Sequence, residues 1–129
     1  MNLPPADAQP LQWVVCLCAD WCGVCRDYRA IFEQVAHSVQ ATLPDARFAW
    51  VDVEDETDLI GDLDVETFPT MLIVDASGTR FAGPIIPQAK VLQRMLQSIG
   101  NGATAAPSVA GAAMVAALAH RPDLWVLST

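Results

Sequence analysis

The sequence has few basic residues and no apolar run long enough to span a bilayer. Only 7 Lys and Arg stand against 15 Asp and Glu among 129 residues, which gives a formal charge of −8. Because nucleic acid binding needs a basic patch that displaces counterions, we expect no nucleic acid partner. The same charge argues against a membrane partner. The most apolar late stretch, 109–119, falls short of the roughly 20 residues of a membrane-spanning helix.

The N-terminal residues also lack the features of a secretory signal. Positions 1–5 carry no Lys or Arg, and no apolar core segment follows them. A cytoplasmic location is therefore expected, with a periplasmic one as the alternative if a signal peptide has been removed.

Cysteine is absent outside positions 16–25, where all four cysteines of the chain lie. Disulfide scaffolds spread their cysteines along the chain so that distant loops are joined. This cluster instead predicts a local chemical site.

The hydrophobic pattern alternates between strand and helix signals. The run 11–19 is almost entirely apolar, which is typical of a strand buried on both faces of a sheet. A helical stripe follows, and further strands are predicted at 48–53, 70–74 and 79–82, where Gly83 and Pro84 interrupt the last one. A second helix carries its stripe between 91 and 99. The first stripe consists of Tyr28, Ile31, Phe32, Val35 and Val39.

These segments predict one main domain with flanking pieces. Residues 1–10 are expected to be irregular, residues 11–102 form the α/β domain, and residues 103–129 form an Ala-rich extension that is helical and then strand-like.

Two motifs stand at the ends of predicted strands. The sequence Trp21-Cys22-Gly23-Val24-Cys25 joins the first strand to the first helix, and Phe68-Pro69-Thr70 opens the third strand. A Cys-x-x-Cys motif alone is a weak signal because metal sites use it too. Together with the downstream X-Pro-Thr, the chain resembles the thioredoxin family over residues 11–100. The resemblance implies a three-layer α/β/α sandwich with a mixed central sheet, here with a shortened N-terminus and a C-terminal extension.

The resemblance also implies a thiol–disulfide oxidoreductase. A thiolate is the nucleophile in such exchange, and a helix N-terminus stabilises negative charge. Cys22 is thus expected to attack a protein disulfide, and Cys25 to resolve the mixed disulfide. The family needs no organic cofactor beyond a redox-active Cys22–Cys25 disulfide. Its electrons come from a reductase, another dithiol protein or glutathione.

The resemblance assigns substrate binding to Trp21, Phe68 and Pro69, the last in the family's cis-proline loop. Gly23 matches the family pattern, whereas Val24 replaces its proline and should shift the redox potential. Cys16 stands where thioredoxins bury an aspartate. Since a buried thiol is a poorer base than a carboxylate near neutral pH, we expect slower resolution by Cys25.

Several alternatives remain open at this point. Cys16 and Cys18 are expected to be small core residues, although a four-cysteine metal site is a competing interpretation; no metal is expected. The chain could also be a thioredoxin-fold adaptor that binds a protein with little redox turnover, or an oxidase or isomerase rather than a reductase.

The short segment before the first strand would leave 48–53 as an open sheet edge, which proteins usually cover. We expect the C-terminal extension to cover it, or a homodimer to form there.

Overall fold

The computed structural model describes residues 11–19, 21–41, 43, 45–61, 63, 65–100 and 108–126. The expected irregular segment 1–10 lies outside these residues, as does all but Ser108 of the linker that the sequence predicts at 103–108. Strands and helices alternate through most of the described residues, and a 3-10 turn, Pro122–Leu124, precedes the strand Trp125–Val126. The elements in order are β1 (Leu11–Cys18), α1 (Gly23–Gln40), β2 (Arg47–Asp52), α2 (Thr57–Ile60), β3 (Thr70–Asp75), β4 (Gly78–Pro84), α3 (Ala89–Gly100), α4 (Ala112–Leu118) and β5 (Trp125–Val126).

The five strands form one mixed sheet in the order β4-β3-β1-β2-β5. β1 lies at the centre, parallel to β2 and antiparallel to β3. β4 and β5 are antiparallel to their neighbours at the two edges. The central position explains why seven of the eight residues of β1 are buried, as the unbroken apolar run predicts.

Helices cover both faces of this sheet, so the expected three-layer α/β/α sandwich is confirmed. We call the side covered by α1 and α3 the first face, and the side covered by α2 and α4 the second face. Because side chains alternate along a strand, β1 sends Val14, Cys16 and Cys18 to the first face. It sends Trp13, Val15 and Leu17 to the second.

The first face is packed by the apolar stripes of two long helices. The stripe predicted for α1 is found, with Tyr28, Phe32 and Val35 fully buried. These rings pack on the sheet, and Phe32 meets Phe48 edge-on with ring centroids 5.8 Å apart. α3 adds Leu92, Leu96 and Ile99 to the same cluster.

The C-terminal segment covers the second face and the β2 edge. Met114 and Leu118 of α4 are buried against Leu17 and Val51 of the sheet. β5 then pairs with residues 48–49 of β2, so the C-terminal segment covers this part of the edge, and the open edge offers less reason for a homodimer.

Three contacts of Trp125 hold β5 in place. Its ring packs edge-on against Trp13, lies 4.3 Å from the guanidinium carbon of Arg47, and donates from Nε1 to the carbonyl of Leu118 at 2.8 Å.

One strand is longer than the pattern predicts. β4 continues through Gly83 and Pro84, where the sequence indicates an interruption. An edge strand tolerates proline because one side of its backbone needs no partner, and Pro84 still stands opposite Thr70 of β3. No described helix has the length and apolar character needed to cross a membrane.

Candidate redox site

Cys22 lies at the N-terminus of α1 with a free thiol. It is the N-cap residue, with extended backbone angles, and its side chain is partly exposed. Its backbone N–H donates to the carbonyl of Ala19 at 3.0 Å, and its own carbonyl accepts from Arg26 at 3.2 Å. These bonds form the tight turn that connects β1 to α1. They hold the sulfur of Cys22 at the surface end of the helix.

Cys25 occupies the first turn of α1 and is buried. The expected partner of Cys25 is Cys22, but in this structure Cys25 forms a disulfide with Cys18 at the end of β1. The Cα atoms of the bonded pair are 5.7 Å apart, within the usual disulfide range. The N–H of Ala19 donates to the Cys25 sulfur at 3.4 Å. Cys18 is therefore both the core residue expected from the sequence and the partner of Cys25.

Cys16 is a free thiol, buried in the same core cluster as Cys18 and Cys25 and on the same face of β1 as Cys18. Burial raises its pKa far above the usual range for a thiol, and the positive charge of Arg29 opposes this shift only in part. Tyr28 is also buried. Burial, followed by the influence of Cys16, raises the pKa of its phenol. Among the described residues, the Tyr28 hydroxyl has no hydrogen-bond partner.

Trp21 and Phe68 form an aromatic contact next to Cys22. Their rings meet edge-on with centroids 5.7 Å apart, and 62% of Trp21 is exposed. The indole Nε1 donates to Glu54 Oε1 at 2.5 Å. The peptide bond between Phe68 and Pro69 is cis, and the Pro69 carbonyl accepts from Ile85. The three residues expected to bind substrate thus come from the turn before α1 and the loop before β3.

The two residues between the cysteines are exposed. Val24 has 46% of its surface accessible, and Gly23 is exposed in the first turn of α1. The Arg26 Nη2 atom lies 3.9 Å from the position that a Gly23 Cβ would take, so a positive charge lies at this end of the helix. The first turn contains no acidic residue.

The four-cysteine metal site gains no support from the described part of the chain. No group of three or more His, Cys, Asp or Glu side chains there is arranged to hold a metal ion. Two of the four sulfurs are bonded to each other.

The sequence pattern did not predict two residues of the site, Cys18 as the partner of Cys25 and Glu54 as the acceptor for Trp21. Cys18 could have been found from its alternation with Cys16 in β1, which puts both on one face, but the pattern does not say which face meets α1. Glu54 had no such signal, because it lies 33 residues from Trp21 along the chain.

A mixed sheet with helices on both faces, cysteines at the start of the first long helix and an adjacent cis-proline loop define a thioredoxin-like protein. The family model described as Thioredoxin matches residues 7–97, and the chain belongs to the thioredoxin family.

Among curated proteins, a protein described as putative thioredoxin 2 from Streptomyces coelicolor is 32% identical over 72 residues. The match covers 55% of this chain and 51% of that protein, so the aligned part spans about half the length of this relative.

Solved structures share the fold. The germline-specific thioredoxin Deadhead from Drosophila melanogaster superposes with a TM-score of 0.59 at 19% identity, covering 73% of this chain and 85% of that one. The thioredoxin of Fasciola hepatica gives a TM-score of 0.54 at 21% identity, covering 70% and 82%.

Proposed function

We propose that this protein is a thiol–disulfide oxidoreductase in which Cys22 attacks and Cys25 resolves. One observation carries the proposal: a free, partly exposed thiol at the N-terminus of α1 stands three residues before a cysteine that is already in a disulfide. Family membership supports the same activity, because thioredoxin-family proteins are usually oxidoreductases acting on protein disulfides.

The reaction starts from the reduced protein and proceeds by two exchanges. The Cys22 thiolate attacks a substrate disulfide, which forms a mixed disulfide and releases one substrate thiol. Cys25 then attacks the Cys22 sulfur, releases the second substrate thiol and leaves a Cys22–Cys25 disulfide. Two electrons pass to the substrate, and a reductase, another dithiol protein or glutathione returns them.

Trp21, Phe68 and Pro69 form the proposed docking surface for the substrate. The exposed ring of Trp21 and the edge-on contact with Phe68 provide an apolar platform next to Cys22. Glu54 orients Trp21 by accepting its indole hydrogen. An extended substrate segment would lie between this platform and the Pro69 loop.

Replacing the attacking thiol tests the proposal most directly. Cys22→Ser should lower the rate of insulin disulfide reduction by on the order of a thousandfold or more, since removing a nucleophile has effects of this size. Ser38→Ala, at an exposed position on the same helix, serves as the control and should keep full activity. Equal rates in Cys22→Ser and the unchanged protein would refute the proposal.

Cys16 is proposed to slow the resolving step. Because it replaces the family's buried carboxylate with a thiol whose pKa is raised by burial, it cannot readily take the proton from Cys25 near neutral pH. We expect Cys16→Asp to speed resolution, measured by rapid quenching of the mixed disulfide at pH 7. An unchanged rate in a folded Cys16→Asp variant would remove this hypothesis.

A second candidate, a protein-binding adaptor with little turnover, is favoured by the Cys18–Cys25 bond, because Cys25 cannot resolve a mixed disulfide while it is bonded. An adaptor would retain its partner in the Cys22→Ser variant, and an oxidoreductase would lose turnover.

The direction of electron flow follows from the midpoint potential of the Cys22–Cys25 couple. Reductases lie near about −270 mV and strong oxidants near about −120 mV.

A further inference from the structure

Cys18 is the buried nucleophilic group that the proposed reaction does not use. Its side chain is fully buried at the end of β1, on the face that α1 covers. The strand and the helix meet through the turn at Ala19, and this brings the Cα atoms of Cys18 and Cys25 within 5.7 Å. Cys25 thus has two neighbouring sulfur partners, Cys22 along the helix and Cys18 on the strand.

We propose that Cys18 is a third redox cysteine, which replaces Cys22 as the disulfide partner of Cys25 after each oxidation. The inference rests on the proposed function, since it begins from the Cys22–Cys25 disulfide that substrate reduction leaves. The structure describes the state after the transfer, with Cys18 and Cys25 joined and Cys22 free.

The transfer is an internal exchange that needs no oxidant or reductant. The Cys18 sulfur attacks the Cys25 sulfur, a Cys18–Cys25 bond forms, and the Cys22–Cys25 bond breaks. Cys22 leaves as a thiolate, and the proton given up by Cys18 balances the one that Cys22 regains from solvent. One disulfide and one thiol exist before and after, so no electrons enter or leave the protein.

The three cysteines differ in exposure, and this difference determines what the exchange changes for a substrate. Cys18 and Cys25 are at most 1% exposed, whereas Cys22 is partly exposed. The exchange therefore moves the disulfide from the surface into the core and frees the only one of the three thiols that a substrate can reach. The oxidised protein can then capture a second disulfide through Cys22, and this second adduct has no free resolving cysteine.

Glutathione disulfide in excess distinguishes the two reaction schemes by stoichiometry. With the transfer, the reduced protein releases two equivalents of glutathione as it oxidises. A third follows as the freed Cys22 attacks again, and the protein ends as a glutathione adduct. Without the transfer, the reaction stops at two equivalents and no adduct. We expect three equivalents and an adduct at Cys22 for the unchanged protein, and two equivalents without an adduct for Cys18→Ala.

Cys16→Ala is the matched control, because it removes a buried thiol two residues away on the same face of β1. It should keep the third equivalent and the adduct, whatever its rate. Identical stoichiometry in Cys18→Ala and the unchanged protein would overturn the third-cysteine proposal. Failure of both to release any glutathione would instead overturn the proposed function.

Peptide mapping of the unchanged protein tests the same point without a mutation that could impair folding. After acid quenching and blocking of free thiols, cleavage before Asp7, Asp20 and Asp27 places Cys16 and Cys18 in one peptide and Cys22 with Cys25 in another. A Cys18–Cys25 bond joins the two peptides, whereas a Cys22–Cys25 bond closes a loop within the second. A joined pair in which both Cys16 and Cys22 carry the blocking group supports the proposal, and a loop alone contradicts it.

Discussion

The two faces of the sheet differ in what their side chains can do. The first face contains all three buried cysteines, and Tyr28 adds a phenol beside them. The second face is packed by apolar residues of β1, β2 and α4, among them Leu17, Val51 and Leu118. Both are built from the same strands, so the alternation of side chains along β1, β2 and β3 separates them.

Because the two clusters share no residues, we expect the proposed disulfide exchange to be independent of the C-terminal packing. Cys18 and Leu17 are adjacent in sequence, yet one is bonded to Cys25 and the other packs in the second cluster. Substitutions on the second face should change stability and spare disulfide exchange. Substitutions on the first face should change how the protein responds to redox state or pH.

The largest expected effect is the loss of the α4 anchor on the second face. Leu118 is fully buried, and Leu118→Ala should lower the free energy of unfolding by about 3 kcal/mol, as deletion of a buried leucine side chain usually does. Urea unfolding measures the loss. Ala116→Ser, at an exposed position on α4, should change stability by no more than about 0.5 kcal/mol.

The independence of the faces also predicts that folded Leu118→Ala keeps the normal glutathione stoichiometry. An altered stoichiometry below the unfolding transition would show that the two faces are coupled.

The next largest effect is expected at Gly111, which precedes α4. Its φ is +71°, and a Cβ there would lie 2.7 Å from Leu72 Cδ2. Gly111→Ala should therefore destabilise the protein by about 2 kcal/mol, through backbone strain and crowding. Thermal unfolding compares it with Gly61→Ala, where φ is +55° but the space is open. The control should lose only about 1 kcal/mol, and equal losses would mean that Leu72 moves aside freely.

On the first face, Cys16 should make stability fall at alkaline pH. The unfolded chain loses the Cys16 proton above about pH 8.5, while the folded protein keeps it because burial raises the pKa of this thiol. The contribution of the protonated Cys16 thiol to the free energy of unfolding is fully present below about pH 8.5. As the pH rises further, this contribution is lost at up to about 1.4 kcal/mol per pH unit.

Urea unfolding of the unchanged protein and of Cys16→Ala between pH 7 and pH 10 measures this contribution as a difference. Parallel curves would contradict the assigned burial of the Cys16 thiol.

The smallest effect is expected for Tyr28→Phe. The hydroxyl is buried without a hydrogen-bond partner among the described residues. Its removal therefore eliminates a buried polar group and breaks no hydrogen bond. Stability should stay constant or rise by up to about 1 kcal/mol, as calorimetry can measure. A clear loss would show that the hydroxyl has a partner, such as a bound water.

Periodicity was enough to predict most of the fold. The i, i+3, i+4, i+7 spacing of Tyr28, Ile31, Phe32 and Val35 identifies α1 and its buried side, because that spacing leaves one side of the helix apolar. The strand pattern and the two motifs together indicated the family and placed Cys22 at the start of the helix.

The partner of Cys25 could not be predicted in the same way. Cys18 and Cys22 are both near Cys25 in sequence, and the choice depends on which face of β1 meets α1. Local alternation does not contain that information. The path of the C-terminal segment was likewise a matter of three-dimensional packing, since Gly111 turns the chain in the αL conformation at a point where any Cβ would crowd Leu72.

The C-terminal segment also bears on how the chain folds. Ser108 bridges Thr79 in β4, and Val126 pairs with Phe48 in β2, so the segment crosses from one edge of the sheet to the other. These pairings join residues far apart in sequence, whereas β1 and α1 are connected by a short turn. Contacts of long sequence separation form slowly because loop closure precedes any gain. We therefore expect β1 and α1 to associate early, so that the cysteines meet before the C-terminal segment docks.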